Sequence, residues 1–477
     1  MGAGNVNKKE ESVKRLWLAV VLVALGGLAS RSFADVQNIR LSGDIRIRGY
    51  FLDSTGLNDP TDTTSGQKDG NEAFISQRTR VSVEADLEDH VLVVVTLAAE
   101  GMWGAGANTA QDAGAGLGGF NAATGTVGGN PAINHKFDVG IDEAYVQLNE
   151  LFYTPATLKL GRQYLHYGHG LIISSVEQEY NYDAGRLVLD YYPLTIDLVG
   201  AELVNNQSFA ATPSHLGASD LLFVNARYEL SDSAIKNVEA YFGWVSQSSS
   251  GLGGPGTGPT AFPGVPPTTG GASPMIIGLR TDINPADAVQ MWAEGAYEFG
   301  ADGANSDKDL SAGIFNLGAK FTMKDTQWVP AINGNYIFAT GGGKDSDGNF
   351  APWFDYAEGY NGYLFEPSLS NIHIFNVGAS VKPYENTTLA FQTYYYMKAS
   401  NGNNAGSNGN VDFGGIANTP AADRDLGWEL DGILGYDYSK DVRAQLVYGA
   451  FIPQGAYEHA GFSRTAEEVR AELNVKF

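Results

Sequence analysis

A period of two runs through almost the whole chain from residue 39 onward. Leu41, Ile45, Ile47 and Phe51 share one parity, and Ser42, Asp44, Arg46, Arg48 and Tyr50 share the other. Ile75, Val81, Val83, Ala85 and Leu87 likewise oppose Ser76, Arg78, Arg80, Ser82, Glu84 and Asp86. The last segment sets Val469, Ala471, Leu473, Val475 and Phe477 against Glu468, Arg470, Glu472, Asn474 and Lys476. Alternate side chains of a strand point to opposite faces, so this is strand patterning, carried well beyond the usual length of about five or six residues. A water-soluble sandwich uses shorter strands, with a turn every ~8–12 residues. Long strands with one apolar and one polar face fit a transmembrane barrel, apolar toward lipid and polar toward a lumen.

The N-terminus supplies the route to a membrane. Lys8, Lys9, Lys14 and Arg15 precede an apolar run from Leu16 to Ala29, and Ser32-Phe33-Ala34 stands just before Asp35. This is the three-part pattern of a secretory signal, assigned to residues 1–34, with 35–477 as a single barrel. A buried N-terminal helix is the alternative, and it fits badly with the basic flank. After Asp35 no apolar run approaches the ~18 residues of a spanning helix. The expected location is therefore the bacterial outer membrane. The chain has no cysteine, which removes disulfides, thiol nucleophiles and Cys-based metal sites. A net charge of −24 argues against a nucleic-acid partner, which would want a basic stripe.

The pattern divides into about 18 strands, at 39–51, 74–87, 90–103, 138–149, 156–164, 184–192, 194–204, 220–230, 236–246, 274–284, 288–299, 309–322, 328–340, 372–382, 387–400, 425–438, 442–453 and 464–477. Their connections alternate in length. Short turns fall at Glu88-Asp89, Pro193, Asn284-Pro285-Ala286-Asp287 and Ser439-Lys440-Asp441. Long polar loops fall near 52–73, 104–137, 247–273, 341–371 and 399–424. Short periplasmic turns and long extracellular loops are the plan of an antiparallel, all-β outer-membrane barrel. Tyr50, Phe51, Trp103, Tyr241, Phe242, Trp292, Trp328, Tyr336, Tyr394, Tyr395, Tyr396, Trp428, Tyr436 and Tyr438 stand mostly toward strand ends, as the aromatic girdles of a barrel require. Ordinary β-propensity also enriches strands in such residues.

A barrel of this size encloses a water-filled passage unless loops fill it. Inward parity collects Arg46, Arg48, Arg78, Arg80, Arg186, Arg443 and Arg470, together with Glu143 and many other carboxylates. Closure sets the last strands beside the first, so Arg443, Arg470, Arg46, Arg48, Arg78 and Arg80 are expected on one arc. Guanidiniums around a narrow passage favour anions, since each can pair bidentately with carboxylate or phosphate. The competing reading is that they brace the wall as salt bridges. Arg162 shares a parity with Leu158 and Leu160, so a lumen position for it requires a bulge.

Four short motifs carry a resemblance. Gln77-Arg78-Thr79-Arg80, Asp142-Glu143-Ala144-Tyr145-Val146, Leu160-Gly161-Arg162-Gln163 continuing to Tyr167-Gly168, and Tyr182-Asp183-Ala184-Gly185-Arg186 resemble, in this order, those of the alginate-export family of outer-membrane proteins. The motif-bearing part covers roughly residues 40 to 192. The resemblance implies an 18-stranded monomeric barrel that passes an acidic polysaccharide, or a related anionic solute, through an Arg-rich constriction. By motif position it carries Arg78, Arg80, Glu143, Arg162 and Arg186 as lumen residues. The implied partners are outer-membrane lipid and lipopolysaccharide, the barrel assembly machinery, for which Phe477 is a fitting terminal residue, and periplasmic polysaccharide export components. Alginate exporters can carry a long periplasmic turn as a plug, and the turns here are short.

Other chemistry is thin. His166, His169, Ser174, Ser175 and Glu177 cluster in one segment, which reads as a solvated loop rather than a hydrolase site. Asp345, Asp347 and Asn349 have calcium-loop spacing, but Phe350 and Tyr356 stand where the loop needs glycine and glutamate. The glycine-rich stretches lack a phosphate-loop ending. No cofactor is called for, and no catalytic constellation is evident. Three readings follow: an anionic polysaccharide or oligosaccharide channel, a general or carbohydrate-selective porin, and a structural barrel presenting loops.

Overall fold

Alternating sequence becomes sheet here because every strand offers lipid one apolar face and pairs its backbone fully with two neighbours, which no open edge allows in a membrane. The computed structural model describes residues 38–54, 71–88, 90–103, 120–121, 126–127, 130–131, 136–175, 181–207, 215–231, 233–247, 273–301, 309–341, 348, 350, 353, 361–367, 369–401, 423–458 and 463–477. The assigned signal segment, Glu177, and Asp345, Asp347 and Asn349 lie outside them.

The strands are β1 (Asn38–Asp53), β2 (Glu72–Glu88), β3 (Val91–Met102), β4 (Lys136–Leu148), β5 (Ala156–Gln163) and β6 (Tyr182–Tyr191). They continue as β7 (Leu194–Gln207), β8 (His215–Glu229), β9 (Ile235–Gln247), β10 (Ser273–Ala286), β11 (Val289–Ala301) and β12 (Asp309–Thr322). The last are β13 (Ala331–Ala339), β14 (Ile372–Tyr384), β15 (Thr387–Lys398), β16 (Asp425–Asp437), β17 (Val442–Pro453) and β18 (Ala466–Lys476). Together they form one 18-stranded antiparallel sheet in chain order, closed by pairing of β1 with β18. The seam is sealed at the terminus, where Gly43 and Phe477 exchange backbone hydrogen bonds of 2.9 and 3.0 Å.

Each expected strand is present. The one expected at 328–340 starts later, because Trp328 and Val329 take left-handed backbone angles in the turn before Pro330. Apolar residues such as Ile39, Leu41, Val83, Leu279, Val377 and Leu473 are exposed on the outer face. The aromatic assignment divides. Trp103, Trp328, Trp428, Tyr436 and Tyr438 are exposed, whereas Tyr241, Tyr394 and Tyr396 are buried on the inner face. Phe152, Tyr153, Tyr191, Tyr192 and Tyr384 at the turns complete the periplasmic girdle.

The inner face departs from a simple polar lumen. In β7 the outward Leu198 is 38% exposed while its inward neighbour Val199 is 1% exposed. Leu221, Phe223, Val245, Ile276, Ile314, Ile337 and Ile374 are buried in the same way. Their cover comes from two segments folded into the barrel, 164–175 and the described parts of 350–371, which contribute Leu165, Leu171, Ile173, Phe350, Trp353 and Phe365 to one apolar cluster.

Candidate functional site

Register decides which lumen side chains meet. In β1 and β2, Arg46 stands opposite Arg78, Asp44 opposite Arg80 and Arg48 opposite Ser76. Across the seam, Arg48 faces Glu472 and Tyr50 faces Arg470. Cross-strand neighbours on one face lie about 4.5–5.5 Å apart at Cβ, so the β1–β2 pairing gathers four guanidiniums and closure adds the fifth. Arg46, Arg48, Arg78, Arg80 and Arg470 form this arc.

Each has a carboxylate within reach. Arg80 Nε donates to Asp44 at 2.6 Å, and Arg78 stands 3.8 Å from the same carboxylate, so two guanidiniums share it. Arg80 also lies 3.8 Å from Asp142. Arg46 pairs with Glu100 at 3.7 Å, and Arg48 donates to Glu472. Arg470 donates to Glu468 at 2.6 Å and to the Tyr363 carbonyl at 2.9 Å, with its guanidinium over the rings of Tyr50 and Tyr363.

The two inward segments frame this arc. Both dock on a buried wall carboxylate through a glycine. Glu294 accepts the His169 N–H at 3.0 Å and the Tyr241 hydroxyl at 3.1 Å. Glu429 accepts the N–H groups of Tyr363, Leu364 and Phe365 at 2.6, 2.9 and 2.9 Å. Gly168 (φ 63°) and Gly362 (φ 122°) have backbone that favours glycine, and a Cβ on either would stand within 2.8 Å of those carboxylate oxygens. Trp353 Nε1 donates to Glu298 at 3.1 Å, and the Phe365 and Phe451 rings stack at 4.1 Å. Tyr164 donates to Asp142 beside Arg80, which joins the first segment to the arc.

The expected lumen residues separate accordingly. Arg443 stands outside the arc, exposed near the periplasmic end of β17 and paired with Asp437 at 2.7 Å. Arg186 faces inward, pairs with Asp197 and lies 5.7 Å from the centre of the Tyr167 ring. Glu143 also faces inward, two residues before Tyr145, whose ring carries the Lys159 ammonium at 3.5 Å. Arg162 does not face the lumen. It shares the outward parity of the exposed Leu160 and pairs with the exposed Asp183 at 2.9 and 3.0 Å. The bulge that would have been needed to turn it inward lies one strand earlier. Between β3 and β4, Thr96 pairs with Glu143 and Leu97 with Ile141, so Asp142 is the extra residue and both acids point inward.

The His/Ser segment is not a solvated loop. Leu165, Leu171 and Ile173 are almost completely buried, Ser174 is 1% exposed, and His166 Nδ1 lies 3.2 Å from Ser174 Oγ. Burial, and then the Arg280 charge, hold the His166 imidazole below its ordinary value. Sequence reasoning missed both inward segments. The available signal was the run Leu171-Ile172-Ile173, together with Trp353 and Phe365, inside segments otherwise suited to water.

A family model described as alginate export matches residues 41–471. Among solved structures the chain is similar to OccAB4 of Acinetobacter baumannii, with 12% identity, a TM-score of 0.54, and 94% of this chain and 100% of that one covered. It is also similar to OccK8 (OprE) of Pseudomonas aeruginosa, with 9% identity, a TM-score of 0.54 and coverage of 93% and 99%. Pseudomonas aeruginosa OccK2 (OpdF), solved in complex with glucuronate, matches at 8% identity with a TM-score of 0.51 and coverage of 93% and 97%. At these identities the likeness is one of fold. No curated protein matches. The chain belongs to the alginate export family and is a bacterial outer-membrane β-barrel.

Proposed function

We propose that the protein is a channel for acidic oligosaccharides or polysaccharides, and for smaller anions of the same kind, across the outer membrane. One observation carries this reading. The β1–β2 pairing and barrel closure gather five guanidiniums at the seam, two of them sharing Asp44, while Glu294, Glu298 and Glu429 on other strands are sealed beneath inward loops. The arginines stay on the lumen side of the seam strands, packed among their partners with Arg46, Arg48, Arg78 and Arg470 only 6–8% exposed, whereas these three carboxylates are used up in holding loops. Guanidinium pairs bidentately with carboxylates, the charged group of a uronic acid. The working unit is a monomer in lipid and lipopolysaccharide, inserted by the barrel assembly machinery and served by periplasmic polysaccharide export components.

A specific observation favours a second reading. Each arginine of the arc has a carboxylate within 4 Å, as expected of a braced wall in a general or carbohydrate-selective porin. Permeation into liposomes containing the refolded protein separates the two. Entry of an oligouronate faster than a neutral oligosaccharide of equal length supports the first. Equal rates, or faster neutral entry, support the second.

A further inference from the structure

The wall from β11 to β15 carries a second surface that the arc does not use. Trp292 is on the inward parity of β11, two residues before Glu294. Its indole is laid on Gly318 of β12, with Cζ2 and Cε2 standing 2.0 and 2.1 Å from where a Cβ would be. Only glycine leaves that space, so the ring lies against the wall and turns its other face to the lumen. Register continues the row from Trp292 and Gly318 to Asn335 and Asn376.

The next row toward the periplasm runs Gln290, Lys320, Asn333, Gly378 and Gln392. It repeats the device, because the Gln392 amide lies over Gly378 as the indole lies over Gly318. Asn333 donates to Asn376 at 3.1 Å and to Gln392 at 3.2 Å, and Asn376 donates to Gln392 at 3.1 Å. The amides are thus held in place by one another, with Gln392 also donating to Asn333 and the 6%-exposed Asn376 to the Thr393 carbonyl, each at 3.3 Å, which leaves one acceptor position on Asn333 and one N–H of Gln392 for hydroxyls. Lys320 and Gln290 are exposed at the end of the strip. The His169 ring of the first inward segment stands 5.6 Å from the indole, so a solute passing that segment meets the strip next.

We propose that this strip is a saccharide-binding subsite. The indole face takes the C–H face of a pyranose ring, the Asn333 and Gln392 amides, held by Asn376, take its hydroxyls, and the Lys320 ammonium takes a ring carboxylate. The last part rests on the proposed acidic cargo; the first two do not.

Single-channel recording of the refolded full-length barrel tests it, with a uronic-acid hexasaccharide and a neutral glucose hexasaccharide as probes. Both are expected to block the wild-type current transiently. Trp292→Ala should shorten the dwell time of both about tenfold, the scale of a single aromatic contact of ~1.4 kcal/mol. Gly318→Val, which lifts the indole without removing it, should do the same. Lys320→Gln should shorten only the acidic block. Trp292→Leu keeps an apolar side chain at the site and serves if the alanine variant does not fold. Unchanged dwell times in the Trp292 variants, or a wild-type channel that neither probe blocks, overturn the subsite. A Trp292-dependent block by the neutral probe alone keeps the subsite and instead removes the acidic-cargo reading.

Discussion

The seam of β18, β1 and β2 and the wall around Glu294 and Glu429 are both densely charged, but they use charge in opposite ways. At the seam, arginines meet carboxylates of the sheet itself, and register sets two of the pairs, Asp44 with Arg80 and Arg48 with Glu472. On the other wall the carboxylates meet backbone N–H groups of segments that fold in from the external side. A side chain paired within the sheet lines the barrel. A side chain paired with an incoming loop narrows it. In the proposed channel, the passage runs between a guanidinium arc that the strands build and loops that buried carboxylates hold.

The largest effect is expected at the loop anchor. Glu429→Ala strands the N–H groups of Tyr363, Leu364 and Phe365, each losing a hydrogen bond worth about 0.5–1.5 kcal/mol. Release of the 361–367 segment should raise single-channel conductance. An unchanged conductance would mean that the segment is held by the Phe365–Phe451 packing alone. Asp44→Asn comes next. It removes the carboxylate that Arg78 and Arg80 share, so the midpoint of urea unfolding should fall by the equivalent of about 2 kcal/mol while anion preference rises. Tyr164→Phe removes one hydrogen bond between the first inward segment and Asp142, at a cost of about 1 kcal/mol, read as faster cleavage of that segment by added protease. Arg162→Leu should matter least. An exposed pair contributes about 0–1 kcal/mol, and an outward position leaves ion selectivity as it was. A changed selectivity in Arg162→Leu would restore it to the lumen.

The strands were legible in the sequence because lipid and lumen enforce a strict alternation, and because short and long connections give the phase. The arc was legible for the same reason: once β18 closes on β1, Arg470 must stand beside Tyr50 and Arg48 beside Glu472. Arg162 keeps the outward parity it shares with Leu158 and Leu160 in the sequence, and only its motif position assigned it to the lumen; the bulge that parity cannot show is at Asp142. Tyr394 and Tyr396 looked like girdle residues because aromatic rings at strand ends suit lipid and lumen equally until the neighbouring loop is known. The inward segments were the least legible part. Their position depends on Glu294 and Glu429, far away in sequence, accepting backbone groups whose donors have no side-chain signature.

In the proposed function the seam arginines set the selectivity of a loop-narrowed passage. The most direct test of this is the reversal potential of the refolded barrel in a planar bilayer under a KCl gradient, for wild type and for Arg78→Glu. The account predicts an anion-selective wild type whose reversal potential moves toward zero in the variant. A cation-selective or unselective wild type, or a variant with unchanged selectivity, would contradict it and leave the arginines as braces of the wall.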